Sequence, residues 1–277
     1  MSAPLKWNEV PVASWQEFTE ALEPMLDAYN DPPTYVFRGQ ADSSWPLEPS
    51  LLRRLRDVQD RAGAHEIERH IESEFKAQAA LFPETQSVWP FIGAVGRTEV
   101  WAYMQHHSCA TRLLDWTASA FVAAYFAVNE LPKRDGALFV VAPDALEQHI
   151  AQTEPALREV SDDRLVDMAM PDRVIFTWPN LRSGRLVAQQ GHFSVSTNIL
   201  EPHDGPMLAA CSAIAQQRPS EVISRKIVIA SGLKLVILQQ LRAMNVAPHA
   251  LFPTLDGLGR SLSDLASLKA ILGRKPG

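Results

Sequence analysis

The chain has 277 residues, of which 46% are hydrophobic and 21% are charged, as is usual for soluble globular proteins. Its 32 acidic and 26 basic residues give a net charge of −6, which disfavours long nucleic acid, because general binding to it needs many lysine and arginine contacts to phosphate groups. The longest apolar run, residues 121–128, is far shorter than the ~20 residues of a bilayer span, so we expect no membrane partner. Two cysteines and no secretion-signal pattern favour a cytoplasmic location.

The beginning of the chain predicts a helix followed by a short strand. A capping box precedes apolar residues at helical spacing, which predicts a helix over residues 14–29 that Pro24 shortens or kinks. A proline-rich break follows. Residues 35–37 are typical of a strand, and this strand delivers Arg38 and Gly39 to a turn.

An amphipathic helix is predicted over residues 61–82, because its apolar residues recur at helical spacing. It contains the sequence HEIERH, which resembles a zinc-protease motif. However, His65 and His70 lie five positions apart in the sequence, which places them about 140° apart around a helix. They therefore do not form the metal-binding pair of that motif.

Two more helices are predicted in the middle of the chain. One covers residues 97–107. The other is capped by Asp115 or Thr117 and runs to about Glu130, and it is too apolar to lie at the surface. We expect this second helix to be buried on most sides.

Strands dominate the second half of the chain. Residues 142–172 interrupt them with a polar, acidic stretch that we interpret as an insertion or a lid. Two helices near residues 235–241 and 265–271 close the chain, and Gly273 can cap the last one. The strand-like runs cover residues 137–141, 173–177, 185–188, 192–196 and 226–229.

Together these elements predict an α+β fold with a single domain. We expect N-terminal helices and a mixed, mainly antiparallel sheet, because short strands alternate with helices and no internal repeat is present. Residues 1–33 form a helical lead-in in this interpretation, and residues 34–277 form the domain.

Three segments place charged or polar residues among apolar neighbours, where burial costs free energy unless the group is paired or used: residues 34–40, 104–127 and 185–197. In the first segment, the planar guanidinium of Arg38 suits a phosphate or a carboxylate. Gly39 would let a ligand approach the backbone closely. Alternatively, Arg38 pairs with Asp115 and only stabilises the fold.

A cluster of basic residues follows shortly after this strand. Arg53, Arg54 and Arg56 lie together in the sequence LLRRLRD. Such a cluster either binds a small phosphorylated ligand or forms the solvated face of a helix. Both interpretations remain open at this point.

The second segment offers candidates for catalysis as well as for binding. Arg112 and Asp115 lie three positions apart and can pair, while Asp115 or Thr117 can cap the following helix. In the functional alternative, Arg112 or the free amides at the helix start bind phosphate. His106 would then act as general acid or base.

The third segment suggests a ligand-binding loop or a simple turn. Gln190 cannot exchange protons, so it is a candidate for binding only, and Gly191 permits close approach of a ligand. His192 shares a strand face with Ser194 and Ser196. That face forms either the wall of a polar cleft or an ordinary solvent-exposed surface.

Several motifs together resemble the FRG-domain family of bacterial and phage-related proteins over about residues 35–260. That family is largely uncharacterised, so the resemblance implies no activity. In this chain His107 replaces the aromatic residue that usually follows the motif histidine. The matching motifs are Phe37-Arg38-Gly39, Gln105-His106, residues 111–117 with the apolar helix that ends at Tyr125-Phe126-Ala127, Gln190-Gly191 before Phe193, Leu251-Phe252-Pro253 and residues 255–258.

The order of elements is also similar to that of the arginine-type ADP-ribosyltransferases. This similarity implies that Arg38 holds the diphosphate of NAD and that Thr117 or Ser119 occupies the Ser/Thr turn of that family. Residues 182–190 would replace the glutamate segment. No Glu-x-Glu or Gln-x-Glu precedes RLVAQQG, so the residue that normally activates the acceptor is missing.

These considerations predict an enzyme of ADP-ribosyltransferase-like character that handles NAD or another nucleotide, as a toxin or phage-defence effector. One alternative is a non-catalytic module that recognises a nucleotide or a partner protein. Another is a metal-dependent nuclease that uses His106, His107 and Asp115. The candidate catalytic residues are His106, Arg38 and Asp115, and the candidate substrate-binding residues are Arg112, Thr117, Gln190, Gly191 and Gly39.

Overall fold

A mixed sheet forms the centre of the structure, a computed structural model that describes residues 5–26, 33–85, 95–155, 172–178 and 184–272. Its strands are β1 (Glu9–Val12), β2 (Val36–Gln40), β3 (Leu113–Thr117), β4 (Gly136–Val141), β5 (Val174–Thr177), β6 (Gly191–Ser196) and β7 (Ser224–Ile229). Among the described residues, these seven strands lie in the order β1-β7-β4-β2-β3-β6-β5. β1 is parallel to β7, and all other neighbours are antiparallel. The predicted α+β fold with a mixed, mainly antiparallel sheet is therefore confirmed.

Helices pack on both faces of this sheet. None of the helices that the structure describes is both long and apolar enough to cross a bilayer. Short 3-10 turns lie at Glu23–Met25, Pro83–Thr85 and Ser231–Leu233. The helices are α1 (Trp15–Leu22), α2 (Ser50–Arg54), α3 (Arg61–Ala79), α4 (Arg97–His106), α5 (Ala120–Val128), α6 (Pro143–Thr153), α7 (Gly184–Ala188), α8 (Asp204–Gln217), α9 (Lys234–Ala243), α10 (Pro248–Leu251) and α11 (Leu255–Leu272).

Helix α5 lies in close contact with β2 and β4. A Cβ atom on Gly39 would overlap with the carbonyl oxygen of Ala123, and one on Gly136 would overlap with that of Ala127. Both glycines are therefore needed for the approach of a helix, whereas the sequence analysis assigns Gly39 to the approach of a ligand. The core on this face includes Phe18, Leu22, Phe37, Ala123, Ala127, Leu138, Ile227 and Ile237.

The opposite face of the sheet is covered by α6 and α8. Trp116 and Phe176 pack edge to face there, with ring centroids 5.6 Å apart. Because successive residues of a strand face opposite sides, Leu114 and Trp116 belong to this core, while Leu113 packs with α4. The sheet is thus buried on both faces near β3.

The sheet separates between β2 and β3. Phe37 pairs with Thr117, and this is the single register pair recorded between the two strands, although both are described throughout. By contrast, β2 pairs with β4 along its whole length, from Val36 to Gln40. Beyond Phe37, the edge of β2 that carries Arg38 therefore diverges from β3 and leaves a gap.

The very apolar helix begins later in the sequence than predicted. Asp115 and Thr117 lie within β3, and Ser119 caps α5 by accepting a hydrogen bond from the Val122 amide at 3.3 Å. The prediction that Asp115 or Thr117 caps the helix is therefore wrong. Thr117 instead pairs with β2 and β6 at the end of its strand.

Three other elements differ between the prediction and the structure. Residues 185–188 form helix α7 rather than a strand, because a four-residue run does not distinguish one helical turn from a short strand. The first helix ends at Leu22 and continues as a 3-10 turn around Pro24, as expected from the proline. Strand β1 was not predicted. Tyr29, Gly273 and residues 156–171 of the expected insertion or lid lie outside the described residues.

Candidate functional site

A cleft of about 1490 Å³ opens where β2 separates from β3. Its floor contains residues 38–41 of β2 and the loop that follows. One wall comes from residues 45–56, and we call it the arginine wall. The other comes from the C-terminal half of α5 together with residues 252–264, and we call it the C-terminal wall.

Arg38 lies on the floor of this cleft and spans the gap between the strands. Its Nη1 donates a hydrogen bond to the carbonyl oxygen of Asp115 at 2.7 Å, whereas its Nε is buried without a hydrogen-bond partner. Burial lowers the pKa of Arg38; Asp115 counteracts this and Arg53 adds to it. Because arginine keeps its charge in proteins, Arg38 is a cation with an unused donor.

Three further arginines lie close to Arg38. A smaller cavity of about 540 Å³ shares part of the cleft lining and contains Arg38, Arg53, Arg54 and Arg56. Arg53 donates to the carbonyl oxygen of Glu48 at 2.8 Å, and a nitrogen of Arg56 lies 3.6 Å from the Glu48 carboxylate. The arginine cluster is thus exposed, as on a solvated helix, and also faces a cavity with Arg38.

The structure distinguishes between the two adjacent histidines. His106 is exposed at the end of α4 and lines the cleft. His107 lines neither cavity among the described residues and packs its ring against Tyr103, with centroids 4.8 Å apart. His106 is therefore the histidine that can contact a ligand in the cleft.

Asp115 lines the smaller cavity, beside the arginine cluster. Its Oδ1 accepts a hydrogen bond from Gln105 Nε2 at 2.9 Å. The side-chain Oε1 of Gln105 in turn accepts one from the Thr111 hydroxyl. Asp115 contacts Arg38 through its main chain rather than its carboxylate. The expected ion pair of these two side chains is therefore replaced by a hydrogen bond to the backbone.

Arg112 is buried away from the cleft and forms a different ion pair from the one expected. Its Nε and Nη2 donate to the two carboxylate oxygens of Glu68 at 2.7 and 2.6 Å. Its guanidinium also lies 4.7 Å from the Trp101 ring. The prediction that Arg112 pairs with Asp115 or binds phosphate is thus not met, because Glu68 of α3 satisfies this cation from across the fold.

Around this pair, the structure assembles a network that the sequence analysis missed. Glu72, one helical turn beyond Glu68, accepts hydrogen bonds from Arg97 at 3.0 Å and Trp101 at 3.2 Å. Arg97 lies 4.7 Å from the same Trp101 ring. Both glutamates are buried, so the helix presents carboxylates as well as apolar residues to the core.

The remaining predicted binding residues form a turn beside β3. Thr117 is buried and donates to the Gln189 carbonyl at 2.6 Å, and the Gln190 carbonyl accepts from the Ala118 amide at 3.0 Å. Gln190 has a positive φ of 47°, typical of a tight turn, and Gly191 leaves room for Leu186. Thr117, Gln190 and Gly191 do not line the cleft of the described chain.

The C-terminal wall was not predicted from the sequence. Asp256, Arg260 and Asp264 line the cleft together with Phe126 and Phe252. The three charged residues recur every fourth position, a spacing that places them on one face of a helix. This pattern could have indicated a shared surface, although not which surface it faces.

One segment of the chain is similar to a known domain family. Residues 33–136 match the model of the FRG domain. This match confirms the suspected FRG resemblance over that segment. No curated protein and no solved structure matches the chain.

The FRG domain match divides the cleft unequally. Arg38, the arginine cluster, His106 and the whole of α5 lie inside the matched segment. Residues 252–264 of the C-terminal wall lie outside it. The FRG domain match therefore covers the floor, the arginine wall and the α5 part of the C-terminal wall, but not residues 252–264.

No group of three or more histidine, cysteine, aspartate or glutamate side chains in the described ranges is arranged to hold a metal ion. His106, His107 and Asp115, the residues of the nuclease alternative, do not form such a group. The chemistry available in the cleft is thus that of arginines, one histidine and several carboxylates.

Proposed function

We propose that the cleft binds the phosphate groups of NAD or a related nucleotide and that the protein is an enzyme acting on this ligand. The observation that carries the proposal is Arg38, a cation held in the gap between β2 and β3 with a buried, unused Nε. A phosphate group is a suitable partner for the guanidinium of Arg38, which lines the cleft, because charge-assisted hydrogen bonds from arginine to phosphate are strong and directional. 

The local charge of the cleft supports an anionic ligand although the whole chain is acidic. Arg53, Arg54 and Arg56 share a cavity with Arg38, and the carboxylates among its lining residues are Glu48 and Asp115. Potential at a binding site depends on nearby charges, since salt screens charges beyond about 10 Å. A small phosphorylated ligand therefore experiences the arginines rather than the net charge of −6.

His106 is the proposed proton donor or acceptor. It lines the same cleft as Arg38, and histidine is the side chain most often used for proton transfer at neutral pH. Carboxylates on the other wall, such as Asp256 and Asp264, are candidates for the acceptor-activating group that the sequence lacks before residues 185–191.

We place this chemistry in the class of ADP-ribosyl transfer or NAD consumption, as a toxin or phage-defence effector. This placement rests on the similarity in the order of elements along the chain, in which Arg38, Thr117 and Gln190 follow one another in or beside β2, β3 and β6. Thr117 and Gln190 would then stabilise the strands beside the cleft without contacting the ligand.

The first test is a thermal-shift measurement with NAD, ATP, GTP and ADP-ribose. A ligand that binds the folded state raises its melting temperature by mass action. We expect a shift with at least one nucleotide in wild type and none in Arg38→Ala. The control Arg218→Ala removes an arginine that pairs with Glu221 and lies outside the cleft, so its shift should equal that of wild type.

Measuring turnover of the bound nucleotide then distinguishes an enzyme from a non-catalytic recognition module. In His106→Ala, we expect binding to persist while nucleotide turnover falls at least about tenfold. Binding without turnover in wild type would instead identify a non-catalytic recognition module. If neither binding nor turnover occurs with any nucleotide, the proposed function is wrong.

A further inference from the structure

The C-terminal wall differs in chemistry from the arginine wall. Phe126 and Phe252 are half-buried and meet edge to face, with ring centroids 6.3 Å apart and planes at 87°. Tyr125 packs against Phe126 at 5.4 Å, and Arg260 lies 5.5 Å from the Phe252 ring. This wall therefore presents partly exposed aromatic rings to the cleft, where a planar ring can pack.

Hydrogen-bond acceptors accompany these rings. Asp264 is half-buried and lines the cleft from α11, one turn after Arg260, and Asn129 lines it from the end of α5. Burial raises the pKa of Tyr125, and the negative charge of Asp264 adds to this shift. Partial burial raises the pKa of Asp264, and the positive charge of Arg242 partly counteracts this.

The two walls are therefore complementary to two parts of one ligand. The four arginines share a smaller cavity that includes neither Phe126 nor Phe252, so the arginine cluster and the aromatic rings lie in different parts of the cleft, with Arg260 beside the rings. The volume of about 1490 Å³ exceeds the ~300–1,000 Å³ of ordinary small-molecule pockets. There is room for a ligand with a phosphate group at the arginine wall and a ring at the C-terminal wall.

We infer that the C-terminal wall is a subsite for an amino-bearing nucleobase of the adenine type. The base packs against Phe252 and Phe126, and its exocyclic amino group donates a hydrogen bond to the Asp264 carboxylate. This inference rests on the proposed phosphate site at Arg38 and adds the identity of the ring. An acceptor-only carboxylate favours an amino group and disfavours a carbonyl oxygen at the same position of the base.

The test compares three probes by isothermal titration calorimetry on the full chain. Pyrophosphate carries only the anion, ADP adds ribose and an amino-bearing base, and IDP has a carbonyl oxygen in place of the amino group. Stacking of a base on an aromatic side chain makes ADP bind about 5- to 100-fold more tightly than pyrophosphate. IDP should bind about tenfold more weakly than ADP.

Two variants and a matched control test whether the C-terminal wall causes these differences in affinity. In Asp264→Asn, the preference for ADP over IDP should disappear while pyrophosphate affinity stays unchanged. In Phe252→Leu, ADP and IDP should both weaken about fivefold or more, with pyrophosphate again unchanged. Glu66→Gln removes the same charge from an exposed position of α3 outside the cleft and should leave all three affinities as in wild type.

Each result decides between the subsite and the phosphate site. Equal affinities for pyrophosphate, ADP and IDP that are all lost in Arg38→Ala would overturn the nucleobase subsite and leave the proposed phosphate site intact. Preference for ADP that persists in both wall variants would also overturn the subsite. If none of the three probes binds to wild type, both proposals fail. The melting temperature of each variant shows that it is folded.

Discussion

Arg38 and Arg112 look alike in the sequence but are used differently in the fold. Each stands beside apolar strand residues, where an unpaired charge is costly. Arg112 directs two guanidinium nitrogens at both oxygens of Glu68 and lies over Trp101. Arg38 has one main-chain acceptor and a buried Nε without a partner. The satisfied cation joins α3 to β3, and the unsatisfied one is the cation to which we assign the proposed phosphate.

The largest expected effect comes from breaking the satisfied pair. Glu68→Gln leaves Arg112 buried without a carboxylate, which should lower the free energy of unfolding by about 3–5 kcal/mol. Urea unfolding followed by circular dichroism measures this loss. Glu66→Gln, at an exposed position of the same helix, should change stability by less than ~0.5 kcal/mol. A loss below ~1 kcal/mol for Glu68→Gln would contradict the structural role of the pair.

A buried histidine lies within the electrostatic influence of both arginines. His203 is buried, and its Nδ1 lies 3.0 Å from the Ser194 hydroxyl. Burial lowers the pKa of His203 to about 3, and the positive charge of Arg38 is the next cause. The unfolded chain therefore binds a proton below pH ~6.5, whereas the folded protein does not until the pH reaches its lowered pKa.

This difference predicts a loss of stability in acid. The contribution of His203 is complete above pH ~6.5 and falls by about 1.4 kcal/mol per pH unit below it, until the pH approaches the folded pKa. Between pH 7 and pH 5, the free energy of unfolding should therefore drop about 2 kcal/mol more in wild type than in His203→Asn. Parallel pH profiles of the two proteins would show that His203 is protonated in the fold.

A smaller change in stability is expected at the unsatisfied cation. Arg38→Met removes one hydrogen bond and also a buried donor without a partner, so stability should change by about 1 kcal/mol or less. The same variant should lose the thermal shift produced by nucleotide. Urea unfolding and ligand titration on one preparation separate these effects. If Arg38→Met destabilises the protein as much as Glu68→Gln, the contrast between the two arginines is wrong.

The smallest effect concerns Glu48, a carboxylate within the arginine wall. Glu48→Gln removes the charge 3.6 Å from Arg56 but keeps the carbonyl oxygen that binds Arg53. Pyrophosphate affinity should rise about two- to threefold, and the gain should shrink with added salt, since exposed ion pairs are weak and screened. Glu221→Gln, which removes the partner of Arg218, should leave the affinity unchanged. Weaker binding in Glu48→Gln would mean that Glu48 orders the arginines for the ligand.

Local patterns predicted much of the fold. The sheet type, the long helix beginning at Arg61 and the shortening of the first helix at Pro24 follow from periodicity, capping and proline chemistry. Predictions failed where the local sequence is compatible with more than one structure. Ser119 caps α5 because β3 extends through Thr117, which depends on pairing with β2 and β6 rather than on the local sequence.

The site was predictable only in part, for a similar reason. Arg38 and the arginine cluster lie close together in the sequence, so their convergence with a strand end could be anticipated. The partner of Arg112 lies 44 positions away in the chain, and no local pattern shows which acid will be buried beside it. The C-terminal wall likewise brings Phe252 to Phe126 from a distant part of the chain.

Gly39 gives the cleft its width. Because a methyl group at this position would overlap with the Ala123 carbonyl, helix α5 can rest on β2 only while position 39 lacks a side chain. Tyr125 and Phe126 belong to that helix. The distance between the aromatic rings and Arg38 therefore depends on the absence of a Cβ atom at Gly39. A larger residue at position 39 would force α5 away from β2 and so change the distance between the two walls of the cleft.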